Sequence, residues 1–335
     1  MKYGIALGLA LLWAIPAAAG VTEGLSYFDN QQYPQAFDEF KPLADRGNEV
    51  AQYYIAYLYL NGYGVAKNEP MGAEYLQKSV DQGYEKAMSL MGYMLSEGIF
   101  FKQNKETAVQ LYTKAAEAGD DDARLNLGVL YYLGDGVERD MDIALDYFKA
   151  VNNNEKPIVG RYIGDIYQFS SDETQQAEAR IYYGISAAAG DLTSFHTLAY
   201  LDQSGFAGEK DLDRSLKYYT YAASQNYAPS QYALGILYAG GEGVDRSITS
   251  AYAWISLAAN QGLPVAVEAQ KKLEDGMTLS QLDQARRELV DIQRNIMGQV
   301  PPPLKREETM AAFSDEIKQD GPKVNRPSAR RRRRR

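Results

Sequence analysis

The sequence predicts an all-α protein, an α-solenoid of stacked antiparallel helix pairs. Three observations lead to this fold class: helix-ending residues recur every 35 or 36 positions, small and large apolar residues keep fixed distances from them, and a glycine-rich turn follows in several units. Gly or Asn just after a helix favours the left-handed conformation that ends it. The seven helix-ending residues are Gly47, Gly83, Gly119, Glu155, Gly190, Asn226 and Gly262.

The first 19 residues resemble a secretory signal. Lys2 and the terminal amine are positive, residues 5–15 are almost wholly apolar, and Pro16 precedes Ala17-Ala18-Ala19, an A-x-A cleavage site. The apolar stretch is shorter than the roughly 20 residues that span a bilayer. We therefore expect a cleaved signal peptide rather than a buried amino-terminal helix, the alternative interpretation.

The helix before each helix-ending residue, here called the B helix, has one apolar face. A small residue lies eleven positions before most of the ends and again three before, and a large residue lies seven before. Spacings of four place these rows on one side of a helix. The large row is Phe40, Leu76, Tyr112, Phe148, Tyr183, Tyr219 and Ile255.

A second helix, the A helix, follows each helix end. Nine residues after the end stand Gly92, Gly128, Gly164 and Gly235, with alanine in the other two repeats. Glycine inside a helix costs about 1 kcal/mol relative to alanine, so we expect another backbone to approach closely at this position. The A helix then stops in a glycine-rich turn such as Gly134-Asp135-Gly136-Val137.

These residues together resemble the Sel-one-like repeat (SLR) family, a bacterial relative of the tetratricopeptide repeat (TPR). The shared pattern is A-x-x-x-L-G-x-x-Y-x-x-G-x-G-V, followed by A-x-x-x-[YF]-x-x-A-A-x-x-G. The resemblance implies a right-handed superhelix with a concave groove. Repeat four departs from the pattern, since Glu155 replaces the glycine end and residues 169–172 replace the glycine turn.

The resulting domain prediction has five parts. A signal peptide (1–19) precedes a partial TPR-like repeat (20–46), and six Sel-one-like repeats follow (47–261). Capping helices (262–299) and a disordered basic tail (300–335) complete the chain.

Charge separates the tail from the rest. The net charge is −9, but the tail carries eleven Lys and Arg against five Asp and Glu, which leaves −16 on residues 20–299. An acidic body argues against nucleic acid as a partner and should repel anionic membranes. The tail is predicted either to tether the protein to lipopolysaccharide, another acidic polymer or its own acidic body, or to be merely solvated. It ends in Arg330, Arg331, Arg332, Arg333, Arg334 and Arg335.

The candidate binding face follows from helix geometry. Positions six and ten after each helix end lie about 240° and 280° around the A helix, away from the core positions at about 40° to 120°. In TPR-like superhelices the corresponding positions line the concave groove, so the resemblance makes them a candidate strip for a peptide. The alternative is that these tyrosines only cover neighbouring helices. The candidate residues are Tyr53, Tyr57, Tyr93, Arg161, Asp165, His196, Tyr200 and Tyr232.

Composition narrows the chemistry. With no cysteine and one histidine, the chain cannot form disulfides, thiolate zinc sites, a cysteine nucleophile or a pair of imidazole ligands. We predict no enzyme activity, cofactor or metal, because no catalytic constellation is recognisable. The resemblance instead implies a scaffold for a protein or peptide partner in complex assembly, envelope regulation or host contact. A carboxylate-pair hydrolase or a carbohydrate-binding protein of the envelope is the alternative.

The expected location follows from the signal. We predict a periplasmic or secreted protein that is not integral to the membrane. No cysteine follows the cleavage site to carry a lipid anchor.

Overall fold

The computed structural model describes residues 14–151 and 156–298, and the side chains of residues 20–151 and 156–295. These parts contain sixteen α-helices and no strand, which confirms the all-α fold class. The chain divides into two compact units, Met1–Asn152 and Asn153–Arg335. Residues 1–13 of the predicted signal, the helix end at Glu155 and the predicted tail at 300–335 lie outside the described residues.

The first unit contains four helix pairs. Within each pair the two helices pack against each other, and each of the first three B helices packs on the A helix that follows. The helices are α1 (Ala14–Asp29), α2 (Tyr33–Asp45), α3 (Glu49–Asn61), α4 (Glu69–Asp81), α5 (Glu85–Glu97), α6 (Lys105–Glu117), α7 (Asp121–Leu133) and α8 (Met141–Ala150).

The second unit contains three helix pairs and two further helices. The helices are α9 (Ile158–Gln168), α10 (Glu173–Ala188), α11 (Leu192–Ser204), α12 (Leu212–Ser224), α13 (Ala228–Gly240), α14 (Ile248–Asn260), α15 (Pro264–Gly276) and α16 (Leu279–Gly298). The A helices of the three pairs are α9, α11 and α13, and the last two helices, α15 and α16, both pack on α14.

The helix ends confirm the periodic prediction. Each described helix-ending residue of the series has a positive φ, from 63° at Asn226 to 104° at Gly119. The residue that follows often caps the next helix: the side chains of Asn48 and Asp120 accept hydrogen bonds from backbone amides three residues on, at 2.8 and 2.7 Å. A left-handed end followed by a polar cap therefore makes the sharp turn from one repeat to the next.

The large row of the B helices forms the core. All seven of its side chains, from Phe40 to Ile255, are at most 2% exposed. The glycines of the A helices face this row: a Cβ added at Gly128 would lie 2.5 Å from the Phe148 ring, and one at Gly164 would lie 2.9 Å from the Tyr183 ring. Close packing at the mid-helix glycines is confirmed, but at Gly128 and Gly164 the group that is met is a large side chain of the B helix rather than the backbone that the sequence predicted.

The region predicted as a partial repeat, 20–46, has both helices. Helix α1 pairs with α2, and a Cβ at Gly24 would lie 2.6 Å from Phe40, which is the same glycine-to-ring packing as in later repeats. The turn from Asp29 to Tyr33 is four residues shorter than the turn from Asn61 to Glu69. That shortening moves α1 out of register with the 36-residue period, so the periodic pattern did not reveal it.

Candidate functional site

In the first unit, the candidate tyrosines differ in their surroundings. Tyr53 is half-buried and makes edge-to-face contacts with Tyr54 at 5.0 Å and with Tyr84 at 5.5 Å. Tyr84 is the N-cap of α5, so Tyr53 joins two repeats. Burial raises the pKa of Tyr53 well above its usual range.

Tyr57 and Tyr93 continue the candidate strip on α3 and α5. The half-buried ring of Tyr57 meets Phe28 edge-on at 5.6 Å and lies 6.1 Å from Tyr63, so it also packs. Tyr93 is 47% exposed. Of the three candidates in this unit, Tyr93 offers the most ring surface to a partner.

In the second unit, Arg161 lies between two carboxylates. Its Nη1 is 3.8 Å from Asp165 Oδ2 and its Nε is 3.6 Å from Asp191 Oδ2, while the guanidinium lies 4.5 Å from the centre of the Tyr162 ring. Burial raises the pKa of Asp165, against the opposing effect of the Tyr183 hydroxyl, which lies 2.8 Å from Asp165 Oδ1. The two candidate residues Arg161 and Asp165 therefore form one charged cluster.

His196 lies on α11, and its side chain contacts residues of α12 and α13. Its Nδ1 is 3.0 Å from the Ser230 hydroxyl, and its ring lies 5.3 Å from Tyr219 and 5.8 Å from Tyr227. Burial lowers the pKa of His196 to about 4, so the imidazole is neutral at physiological pH. These contacts join neighbouring repeats and give the histidine a packing role.

The last candidates lie on α11 and α13. Tyr200 is 52% exposed, and Ile236, at the same register in the next repeat, is 44% exposed. Tyr232 is half-buried and packs against the cluster of α14 and α15 that contains Ile255 and Ala266. The candidate strip thus contains both packed and exposed side chains.

An ion cluster absent from the sequence prediction lies at Asp202. This carboxylate is fully buried and pairs with Arg180 and Arg214. Asp202 occupies the register of Tyr131, a core position of the A helix. A charged residue at an apolar register was the signal that could have identified it.

Within the described residues, no group of three or more His, Asp or Glu side chains is arranged to hold a metal ion. None of the helices within 14–151 and 156–298 is long and apolar enough to cross a membrane.

Comparison with known proteins gives the family. Five segments match the Sel1 repeat: residues 50–84, 85–120, 121–150, 198–227 and 228–263. The unmatched stretch between them contains the pair α9 and α10, where the sequence predicts a degenerate repeat, so the helix pair is kept although its sequence has diverged. No curated protein is significantly similar to the chain in sequence.

Several solved structures are similar to this chain, and one of them shares its fold. A Sel1 repeat protein from Oxalobacter formigenes is 25% identical, with a TM-score of 0.63 over 71% of this chain and 96% of that one. A protective antigen of uropathogenic Escherichia coli strains with an SLR fold is 20% identical, with a TM-score of 0.37 over 96% of this chain and 83% of that one. An immunity protein from Pseudomonas aeruginosa is 20% identical, with a TM-score of 0.39 over 64% of this chain and 83% of that one. The tandem matches and the shared helix-pair fold show that this chain belongs to the Sel1 repeat family.

Proposed function

We propose that the protein is an exported, non-catalytic scaffold that binds a protein or peptide partner on the exposed side chains of its A helices. One observation carries this proposal. Tyr93, Tyr200 and Ile236 occupy the same register of their repeats, and each is about half exposed, at 47%, 52% and 44%. Large apolar side chains kept open to solvent at a repeated position supply the contact area that binding hot spots use.

Within the second unit, a charged cluster adds polarity to the candidate positions of the A helices. Arg161 is held only loosely, at 3.6 and 3.8 Å from its two carboxylates. The Nε of Arg161 is buried without a hydrogen-bond acceptor, but the side chain as a whole is 22% exposed, so a partner that brings its own carboxylate or amide oxygen would bind the rest of the guanidinium. We therefore favour a peptide with apolar side chains and an acidic or amide group.

A hydrolytic role is less well supported by the same cluster. Asp191 caps α11 by accepting hydrogen bonds from the Ser194 amide at 2.9 Å and the Ser194 hydroxyl at 2.5 Å. Asp165 is engaged by Tyr183 and Arg161. Carboxylates used in this way hold helices together, whereas a glycosidase needs its pair directed at the substrate.

Export is part of the proposal. Cleavage after Ala19 would retain Gly20 and Gly24, the two positions where α1 approaches α2 closely. The first helix pair therefore keeps these contacts in the mature chain. Amino-terminal sequencing of the protein recovered from a periplasmic extract should begin at Gly20, and a product that keeps residues 1–19 would contradict export.

The binding proposal is tested by affinity capture with tagged variants. Tyr93→Ala and Tyr200→Ala should together lose the partner recovered with the wild type, as quantified by mass spectrometry, while the melting temperature is kept. Phe169→Ala is the matched control, because Phe169 is 83% exposed but lies outside the strip. If the double variant keeps its partner, and serine in place of Arg330–Arg335 abolishes capture, the tail is the recognition element and the strip is not.

A further inference from the structure

Three turns of the first unit, which join α3 to α4, α5 to α6 and α7 to α8, lie side by side. Tyr63, in the first turn, stacks on Tyr33 at the start of α2, with 4.8 Å between ring centres. Lys67 places its Nζ 5.3 Å from the centre of the Phe100 ring in the next turn, and Lys105 pairs with Asp135 in the third. These contacts define one continuous surface, here called the turn edge.

Phe100 occupies a glycine position of this edge. The corresponding residues in three sister repeats are Gly64, Gly136 and Gly243, with φ of 68°, 77° and 73°. Phe100 keeps the same left-handed backbone, with φ of 60°, although a bulky side chain is disfavoured there. Ala207 has a φ of 55° at this register in another repeat, so the turn imposes the backbone and the unusual feature of Phe100 is its large side chain.

The Phe100 side chain does not repay this strain by joining the core. It is 40% exposed, and its neighbour Ile99 is 36% exposed. The next residue, Phe101, is at the register of Val65 and packs against the core as that valine does. The turn therefore has its normal core anchor, and Ile99 and Phe100 are additional apolar groups at the surface.

Other exposed apolar side chains lie along the same edge. Tyr63 in the first turn is 41% exposed, and Leu133, which ends α7 at the third turn, is 61% exposed. Two of the lysines are paired with acids, since Lys67 lies 2.8 Å from Glu69 and Lys105 pairs with Asp135. The edge thus combines apolar tips with locally balanced charge on a unit that is otherwise acidic.

A row of turn tips cannot enclose a peptide as a groove does. It suits a flat, deformable apolar phase, in which aromatic and aliphatic groups enter the acyl boundary and lysines reach the headgroups. We propose that the turn edge is a peripheral membrane-binding surface, with Ile99 and Phe100 at the headgroup–acyl boundary of a phospholipid bilayer. Tyr63, Lys67 and the exposed Lys102 lie beside them at the level of the headgroups.

The test is flotation of the full-length protein with phosphatidylcholine vesicles in about 0.5 M salt, which screens the arginine tail. The double variant Ile99→Gln, Phe100→Gly should lower the partition coefficient between vesicles and water about tenfold or more, because each substitution removes apolar surface that would otherwise be buried in the bilayer. Phe100→Gly restores the residue of the sister repeats, so the fold should survive, as checked by thermal melting. Val265→Ser, which removes a 52% exposed apolar side chain at the start of α15, away from the turns between A and B helices, is the matched control.

A second measurement reports insertion directly. Tryptophan fluorescence of Phe100→Trp should shift to the blue on addition of the same vesicles, while Val265→Trp should not respond. Absence of vesicle binding by the wild type, or equal binding by the double variant, would overturn the proposal and leave the edge to a protein partner. Binding that requires added phosphatidylglycerol and disappears at high salt would assign membrane contact to the arginine tail, which also overturns it.

Discussion

Arg214 binds the carboxylate of Asp202 through two parallel hydrogen bonds, Nε to Oδ2 and Nη2 to Oδ1, each 2.7 Å long. Arg180 donates to the same carboxylate from the preceding repeat. One fully buried anion therefore joins α10, α11 and α12, in a row where sister repeats place tyrosine. Bidentate pairing of this type fixes geometry as well as charge.

Asp202→Ala should destabilise the second unit strongly. Removal of the anion leaves Arg180, only 9% exposed, without its buried counter-charge, and breaking a buried pair in this way costs about 3 to 5 kcal/mol. Urea unfolding followed by circular dichroism measures the loss. Glu268→Ala, which removes a largely exposed partner of Lys272, should leave the midpoint unchanged, and equal shifts in both variants would show that the buried cluster contributes nothing special.

Gly128→Ala should destabilise the first unit, although alanine is the better helix former. The new Cβ would lie 2.5 Å from Phe148 Cε1, and overpacking costs about 1 to 3 kcal/mol. Gly240→Ala is the control, since a Cβ there has nothing within 4 Å. Thermal unfolding should show a lower midpoint only for Gly128→Ala, and a midpoint equal to the wild type would mean that the two helices can separate without cost.

Acid should weaken the second unit through His196. Its pKa is lowered to about 4 from the ordinary 6.5, so between these values the unfolded chain binds a proton that the folded chain does not. The stabilising effect is present above pH 6.5 and is lost as the pH falls toward 4, with a size of about 3 kcal/mol at most.

The variant His196→Gln isolates this contribution. Glutamine can still hydrogen-bond Ser230 but does not titrate, so the difference in unfolding free energy between wild type and variant should narrow as the pH falls from 7 to 4. A difference that is constant over this interval would mean that His196 is protonated equally in the folded and unfolded chains.

The strip tyrosines should separate in their effect on stability. Tyr53→Ala removes ring contacts with Tyr54 and Tyr84 and should cost about 2 kcal/mol. Tyr93→Ala removes a side chain that is 47% exposed and should change stability by no more than about 0.5 kcal/mol. Differential scanning calorimetry compares the two, and a larger loss for Tyr93→Ala would mean that Tyr93 is a packing residue.

Helix periodicity was sufficient to predict the repeat. Gly119 predicted a left-handed helix end and Gly128 a close helix approach, and the structure confirms both, with the Phe148 ring as the group that Gly128 meets. These features depend on groups within one helix pair, whose spacing in the sequence is fixed. The conformation of the turn at Phe100 could not be predicted in this way, because the local residue argues against the φ that neighbouring turns impose.

The solvent exposure of the side chains in the candidate strip could not be predicted from the sequence, for another reason. Tyr53 and Tyr93 both belong to the candidate strip of the A helices, yet neighbouring side chains cover Tyr53 and leave Tyr93 exposed to solvent. The helical angle gives the direction of a side chain about its own axis. It does not say whether a neighbour such as Tyr84 will cover it, and the binding role of the strip stays a prediction.

The polar contacts between neighbouring repeats have a consequence for how the chain folds. Ser79 donates to the Glu49 carbonyl and Gln82 to Gln52, each across 30 residues, and Gln261 meets Gln231 across the same interval. Interactions of such limited sequence separation form early and cost little loop entropy. Each repeat can pack on its neighbour as soon as both segments are available. The protein can therefore acquire its structure progressively along the chain, before its carboxyl-terminal repeats are present.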